Sequence, residues 1–312
     1  MTTNFLADLG RNIDESFFLI GFAMLLIEIA NGMFKNTLKW RGIADMLVNV
    51  STQIPFFLVQ ITVIYGMYQL FLWISASWIS WTFDINAWTV VLAILVADFL
   101  YYWEHRFAHV VRLLWIHHAV HHSSRYMNIT TGVRFGPFEG VWSMFAVMPM
   151  VIAGFPAELV VFGTLVVLAY QTWLHTELIG KLGVLEGFLN TPSHHRVHHG
   201  CDPEYLDKNY GGILIIWDRL FGTFQEEIRT PRYGLARDFD SVNPFAVWFS
   251  ELPKFFRELL QAKSWQEVFN RLFNRPEWQP AAAKQHANRS SELLTTKPAA
   301  CSSYPDGAAR NG

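Results

Sequence analysis

Histidine is the residue that this chain concentrates. Eleven of its twelve histidines lie between His105 and His199. They read His105-Arg-Phe-Ala-His109, His117-His118-Ala-Val-His121-His122 and His194-His195-Arg-Val-His198-His199, with His175 alone between the last two. Burying a histidine is costly unless its ring nitrogens are paired, and neutral imidazole is the commonest metal ligand. On a helix, residues i, i+3 and i+4 share a face. His105 and His109 are such a pair, His118, His121 and His122 such a triplet, and His195, His198 and His199 repeat it. With His175 these make nine imidazoles, more than the roughly four to six ligands that one ion takes, so the pattern implies two ions, or one ion with several rings to spare. His117 and His194 fall outside the repeat and are expected in an outer or surface role. The two cysteines cannot build a thiolate metal site. Neither a His-Glu-x-x-His nor a Glu-x-x-His sequence occurs, which argues against a zincin protease and a ferritin-like carboxylate centre.

The elements that must position these rings are apolar. Charged residues are 16% of the chain and aromatics another 16%, against about 25% charged in soluble domains. A net charge of −2 leaves no basic stripe for nucleic acid. Apolar stretches run over about 16–34, 48–74 and 87–103, each near the length that spans a bilayer. Glu28 interrupts the first and is expected to face protein rather than lipid. A further stretch, 141–173, is divided by Gly154-Phe155-Pro156 into halves that read as a hairpin, which returns His175 to the face of the other clusters. Lys35, Lys39 and Arg41 follow the first span, Asp84 sits in the next turn, and Arg106, Arg112, Arg125 and Arg134 accompany the histidines. By the positive-inside rule the histidines are expected on the cytoplasmic face. The fold class expected is therefore all-α, a multi-pass membrane helical bundle with a cytoplasmic histidine-rich helical cap. Its parts are transmembrane helices over 1–97, a catalytic domain over 98–226 holding the hairpin, C-terminal amphipathic helices over 227–278 with a surface helix at Asn243–Lys263, and a disordered tail over 279–312.

Asp98, Glu177, Asp207 and Asn209 are candidates to support the ligands, since a carboxylate accepting the far N–H of a ligand imidazole fixes its tautomer. Asp98 lies two helical turns before His105 and is expected to share its face. Tyr101, Tyr102 and Trp103 are expected as interfacial aromatics, and Arg196 and Arg219 at lipid phosphate or the membrane surface.

The three motifs H-x3-H, H-x2-H-H and H-x2-H-H beside membrane segments resemble the fatty acid hydroxylase/sterol desaturase superfamily of membrane di-iron oxidases. The resemblance covers about residues 98–226, including Asp98-Phe-Leu-Tyr-Tyr-Trp103, His121-His122-Ser-Ser124, Lys208-Asn-Tyr-Gly211 and Trp217-Asp-Arg-Leu-Phe-Gly-Thr-Phe224. Tyr170-Gln-Thr-Trp-Leu-His-Thr-Glu177 and Asn190-Thr-Pro-Ser-His-His-Arg-Val-His-His-Gly200 are most similar to members that hydroxylate the ether-linked carbon of alkylglycerols with O2 and a reduced pterin. Val110 stands where those members are expected to carry an acid, and Glu104 precedes the first histidine instead. The resemblance implies two iron ions held by His105, His109, His118, His121, His122, His175, His195, His198 and His199, a lipid or sterol substrate, and an O2-dependent hydroxylation. A sterol or fatty-acyl desaturase shares the first hydrogen abstraction and stays open on the motifs. From another class, a histidine-based metal transporter or sensor would spread its histidines along a membrane path. No Rossmann fingerprint occurs, so the electrons must come from outside: a ferredoxin, a cytochrome b5-like protein or a reduced pterin.

Overall fold

Uninterrupted apolar sequence with a backbone that must satisfy itself in lipid leaves the helix as the economical solution, and helices are what form. A computed structural model describes residues 3–280 of the chain. Among them the only extended pairings are two isolated bridges, Leu189 with Leu214 and Gly200 with Tyr233. The long helices are α1 (Thr3–Phe34), α2 (Trp40–Ser51), α3 (Gln53–Trp78) and α4 (Ala87–Val110). α2 and α3 run almost continuously through Thr52, so three segments are long and apolar enough to cross a membrane: Asn4–Phe34, Trp40–Trp78 and Ala87–Val110. Asn86 starts α4 sharply, its side chain accepting from the Trp88 and Thr89 amides in a capping box. Short helices follow: α5 (Arg112–His121), α6 (Glu139–Ala146), α7 (Met148–Ile152), α8 (Ala157–Tyr170), α9 (Pro192–His198) and α10 (Ile216–Phe221). The chain is thus an all-helical integral membrane protein.

The hairpin is α6 and α7 descending and α8 returning. Its tip does more than dip into the layer. Gly154, at φ +91°, accepts from the Phe83 amide at 2.9 Å, and Phe155 packs at a tilt against Phe83 with ring centroids 4.7 Å apart. The tip therefore reaches the loop between α3 and α4, at the end of α4 remote from the histidines. α8 packs directly on α4. Gly163 makes this possible, since a Cβ there would lie 2.8 Å from the Ala93 carbonyl oxygen; small residues let membrane helices approach closely. Phe71, Ala93, Ala97, Val151, Leu159, Val160 and Val167 are buried in the resulting core.

The opposite end of the bundle holds the polar machinery. Glu28 of α1 accepts from the Ile129 amide at 2.9 Å and from Thr176 Oγ1 at 2.6 Å, facing protein. Arg134, wholly buried, donates to Asp45 at 3.1 Å and Asn49 at 2.6 Å on α2, and to Ser123 at 2.7 Å after α5. The Lys35–Arg41 turn lies at this same end, where Arg41 pairs with Asp240 at 2.6 Å. The expected single surface helix over Asn243–Lys263 is instead α11 (Pro244–Trp248) and α12 (Leu252–Leu260), interrupted at Phe249–Glu251, and α13 (Trp265–Phe273) follows. Pro253 cannot donate to the preceding turn, so the run restarts there. Of the tail expected over 279–312, residues from 281 onward lie outside the described residues.

Candidate metal centre

Three helices end at one place. α4 stops at Val110 because Val111 is extended (φ −109°, ψ 115°), leaving His105 and His109 on its last turns. α5 ends with His118 and His121, and His122 is its C-cap; α9, started by Pro192, ends with His195 and His198, and His199 is its C-cap. The C-terminal end of a helix carries about half a negative charge, which favours a nearby cation. His175 arrives from the turn that follows α8. All nine histidines are buried.

They sort into two groups. One contains His105, His109, His118, His122 and His198; the other contains His121, His175, His195 and His199, and within each group the ligand atoms lie within 4.8 Å of one another. The groups adjoin, with the His122 and His199 rings stacked at 4.4 Å. The repeated motifs interleave: α5 gives His118 and His122 to the first group and His121 to the second, whereas α9 gives His198 to the first and His195 and His199 to the second.

Tautomers follow from the partners. A carbonyl only accepts, so His105 Nδ1 donates to Tyr210 O at 2.9 Å, His121 Nδ1 to Arg134 O at 3.1 Å, and His198 Nδ1 to Lys208 O at 2.9 Å. Each of these rings therefore turns a bare Nε2 lone pair inward. His118 Nδ1 lies 2.6 Å from Glu139 Oε1, and with the carboxylate accepting, its Nε2 is bare as well. His105 Nε2 and His118 Nε2 then face one another at 3.1 Å with no proton between them. Around the second group the Nε2 separations are 3.2 Å for His121–His175, 2.8 Å for His175–His195 and 3.2 Å for His195–His199. Two imidazole nitrogens at right angles about 2.1 Å from a shared ion stand about 3.0 Å apart. Buried Nε2 atoms of His109 and His198 lack any hydrogen-bond partner. A cation in each group would bind these converging nitrogens, and an all-imidazole set suits iron, zinc, copper or nickel.

Burial keeps the rings neutral and able to ligate. It pushes His118 and His175 down to about 3, and desolvation, with repulsion from neighbouring imidazoles, holds His121, His122, His195, His198 and His199 well below the usual histidine range. His117 and His194 join neither group. Each packs against an aromatic ring, His117 on Phe138 at 5.3 Å and His194 on Phe224 at 5.4 Å.

Of the four expected supporting residues, Asp207 stands beside a ligand ring and the other three make their contacts elsewhere. Asp98 touches no histidine; it accepts from the Ile213 and Leu214 amides and Trp217 Nε1 at 2.6, 3.1 and 2.9 Å. It thereby anchors the segment just after Tyr210, whose carbonyl holds His105. Asp207 lies 3.5 Å from His109 Nδ1 and pairs with Arg275 at 3.1 Å. Asn209 turns its amide to the backbone and not to a ring: Oδ1 accepts from Gln225 N, while Nδ2 donates to His194 O and Gln225 O. Asn209 and Asp207 both adopt positive φ, 56° and 58°, in the loop beneath the rings. Glu177 accepts from the Tyr233 hydroxyl at 3.4 Å and borders an open polar cleft with Arg196 and Glu227. Arg196 is engaged inside the protein, forked onto Glu227 at 2.8 and 2.6 Å, with the Thr176 and Ile179 carbonyls taking its other arm. Arg219 lies over the Phe224 ring at 3.7 Å. Tyr102 is buried with its hydroxyl 3.0 Å from Thr223 Oγ1, and Tyr101 donates to Gln171 at 2.7 Å, so neither sits at the interface as an anchor. Glu139 is the supporting carboxylate that sequence reasoning missed. It follows the second cluster by a long loop, and its only sequence signal is an acid at the mouth of an apolar run.

Comparison with known proteins agrees with this geometry. The family model described as fatty acid hydroxylase matches residues 90–223. The chain is 36% identical to alkylglycerol monooxygenase of Danio rerio over 82% of its length and 58% of that protein. It is 39% identical to the Xenopus tropicalis protein of the same name over 68% of this chain and 47% of the relative. Against the Homo sapiens protein the figures are 37%, 68% and 47%. The chain thus spans about half the length of the curated relatives it matches. No solved structure matches.

Proposed function

On the premise that residues 90–223 of this chain are a fatty acid hydroxylase domain, we propose that it is a membrane oxygenase that uses two iron ions to hydroxylate a lipid, an alkylglycerol in the first instance. The observation that carries this reading is the pair of buried imidazole groups, five and four rings, whose Nε2 atoms converge at 2.8–3.2 Å. Its ligands are His105, His109, His118, His122 and His198 for one ion, and His121, His175, His195 and His199 for the other. When bound, the two irons with O2 supply an oxidant able to break an unactivated C–H bond.

The chain's own task is to hold, orient and exclude. Carbonyls of Tyr210, Arg134 and Lys208 and the Glu139 carboxylate fix the Nδ1–H tautomers, which aims each lone pair inward before any ion arrives. The Asp98 and Asn209 contacts make the loop that supplies two of these carbonyls rigid. Burial keeps water from the rings. The four-ring group is braced from below by Gly132, which a Cβ would bring to 2.8 Å from His175 Nδ1.

The electrons come from outside the chain, from a reduced pterin, a ferredoxin or a cytochrome b5-like protein. The active site faces the cytoplasm in this reading. Supporting that orientation, Lys35, Lys39 and Arg41 lie at the histidine end, and the Asp84 loop lies with the hairpin tip at the other. The test is lipid analysis of cells that express the wild type or His198→Ala, with iron counted on both purified proteins. The reading predicts one class of ether lipid oxygenated or cleaved by the wild type alone. Equal lipids in both, or a product that gains a double bond without oxygen, would overturn hydroxylation.

A further inference from the structure

His117 joins neither imidazole group, yet the loop that brings in Glu139 is seated on it. Gly136 of that loop lies against the α5 backbone: a Cβ on it would stand 2.5 Å from the His117 carbonyl oxygen and 2.8 Å from the His117 Cα, closer than real Cβ atoms come. Backbone inside a helix cannot retract as the tip of a side chain can. Gly136 has a negative φ, so space rather than the left-handed conformation demands glycine here. The neighbouring residues hold the loop in place. Phe138 packs its ring on the His117 ring at 5.3 Å, and the Phe135 amide donates to Thr52 Oγ1 at 3.1 Å where α2 meets α3. Gln60 of α3 fills the space that a Cβ would take at Gly140. Glu139 is therefore fixed on both sides along the chain. Its Oε2 accepts from the Gly136 amide at 3.0 Å and its Oε1 from His118 Nδ1 at 2.6 Å. One carboxylate thus ties the backbone that touches His117 to the ring of His118, the next residue of α5.

We propose that Gly136 is a positioning residue for the five-histidine group. Its missing side chain lets the loop close on α5, and that closure keeps Glu139 on His118 and the proton on Nδ1. His117 serves as the seat for the loop and not as a ligand. The proposal deepens the reading of the imidazole groups as metal sites and rests on it. With the loop lifted, His118 loses the acceptor that fixes its tautomer, and a proton on Nε2 would occupy the lone pair that an ion needs. The effect belongs to one group. The four-histidine group also meets this loop, where His121 Nδ1 donates to Arg134 O, but Arg134 is pinned separately by Asp45, Asn49 and Ser123. A side chain at position 136 therefore moves the Glu139 side of the loop and leaves the Arg134 side in place.

The experiment titrates the full chain in detergent with ferrous iron and with zinc against a chelator series. Gly136→Ala should weaken the five-histidine step by about tenfold or more and hold the other. Placed in a Glu139→Gln background, the same change should cost less than about twofold further, because both act on one hydrogen bond. Losses that multiply in the double variant, or two steps weakened alike, would show a merely structural glycine and overturn the proposal. Phe138→Ala loosens the same seat more mildly and carries the test where Gly136→Ala does not fold; it too should weaken only the five-histidine step, and no change there would count against the assignment. Proton–nitrogen NMR of the zinc-loaded chain reads the tautomer itself. The His118 Nδ1 proton, identified as the signal that moves in Glu139→Gln, should move in Gly136→Ala as well; a signal that stays in place would refute the role given to the loop. A wild type that shows all these responses yet oxidises no lipid would uphold Gly136 and sink the oxygenation reading instead.

Discussion

Replacing Glu139 by glutamine separates the two halves of the centre. Glu139 Oε1 accepts from His118 Nδ1 at 2.6 Å, and Oε2 accepts from the Gly136 amide at 3.0 Å. Glutamine keeps the volume and one acceptor oxygen but loses the charge. A charge-assisted hydrogen bond is worth about 1.5–3 kcal/mol, against about 1 kcal/mol for a neutral one. The loss of about 1–2 kcal/mol corresponds to roughly 5- to 30-fold weaker iron binding, in line with the 10- to 100-fold typical of outer-ligand partners. The five-histidine group should bear all of it, because none of the four other rings touches Glu139. The assay is competition for ferrous iron against a graded chelator series, read as two binding steps. One step should weaken and the other hold. Both steps unchanged, or both weakened equally, would refute the placement of Glu139 as a support for one group only.

Gly132→Ala should do the converse. Its Cβ would meet His175 Nδ1 at 2.8 Å, so iron binding should fall at the four-histidine group and hold at the other, by the same titration. Arg134→Met leaves Asp45 buried without its cation and removes the Asn49 and Ser123 bonds; a loss of about 3–5 kcal/mol is expected, measured as thermal stability in detergent. The iron-free protein should be sensitive to acid. His118 and His175 sit at about 3 when folded and near 6.5 unfolded, so above pH 6.5 neither state takes up a proton and no stability is lost. As pH falls below about 6.5 the unfolded chain protonates and the folded one does not, which costs about 1.4 kcal/mol per pH unit per histidine. Urea midpoints that stay flat from pH 7 to about 5 would contradict this.

Sequence carried far into this fold because its signals are local. Glycine and proline at 154–156 mark a hairpin turn wherever they fall between apolar halves, and i, i+3, i+4 spacing places histidines on one helical face in any context. What it does not encode is which face meets which partner. His118 and His121 lie three apart on α5, yet they serve different groups, because α9 approaches between them and contributes to both. Asp98 shares the His105 face but its oxygens go to backbone amides, a choice made by the loop at 213–217 that folds over α4. Glu139 reaches His118 only because the loop over 122–138 folds back and brings the start of α6 against α5. Pairings of this kind depend on tertiary packing between distant segments, where periodicity has no information.

Counting iron on the purified chain probes the two-ion centre most directly. About two irons per chain are expected, with His118→Ala and His175→Ala each removing one. A single tightly held zinc, or an iron content that neither substitution changes, would contradict it.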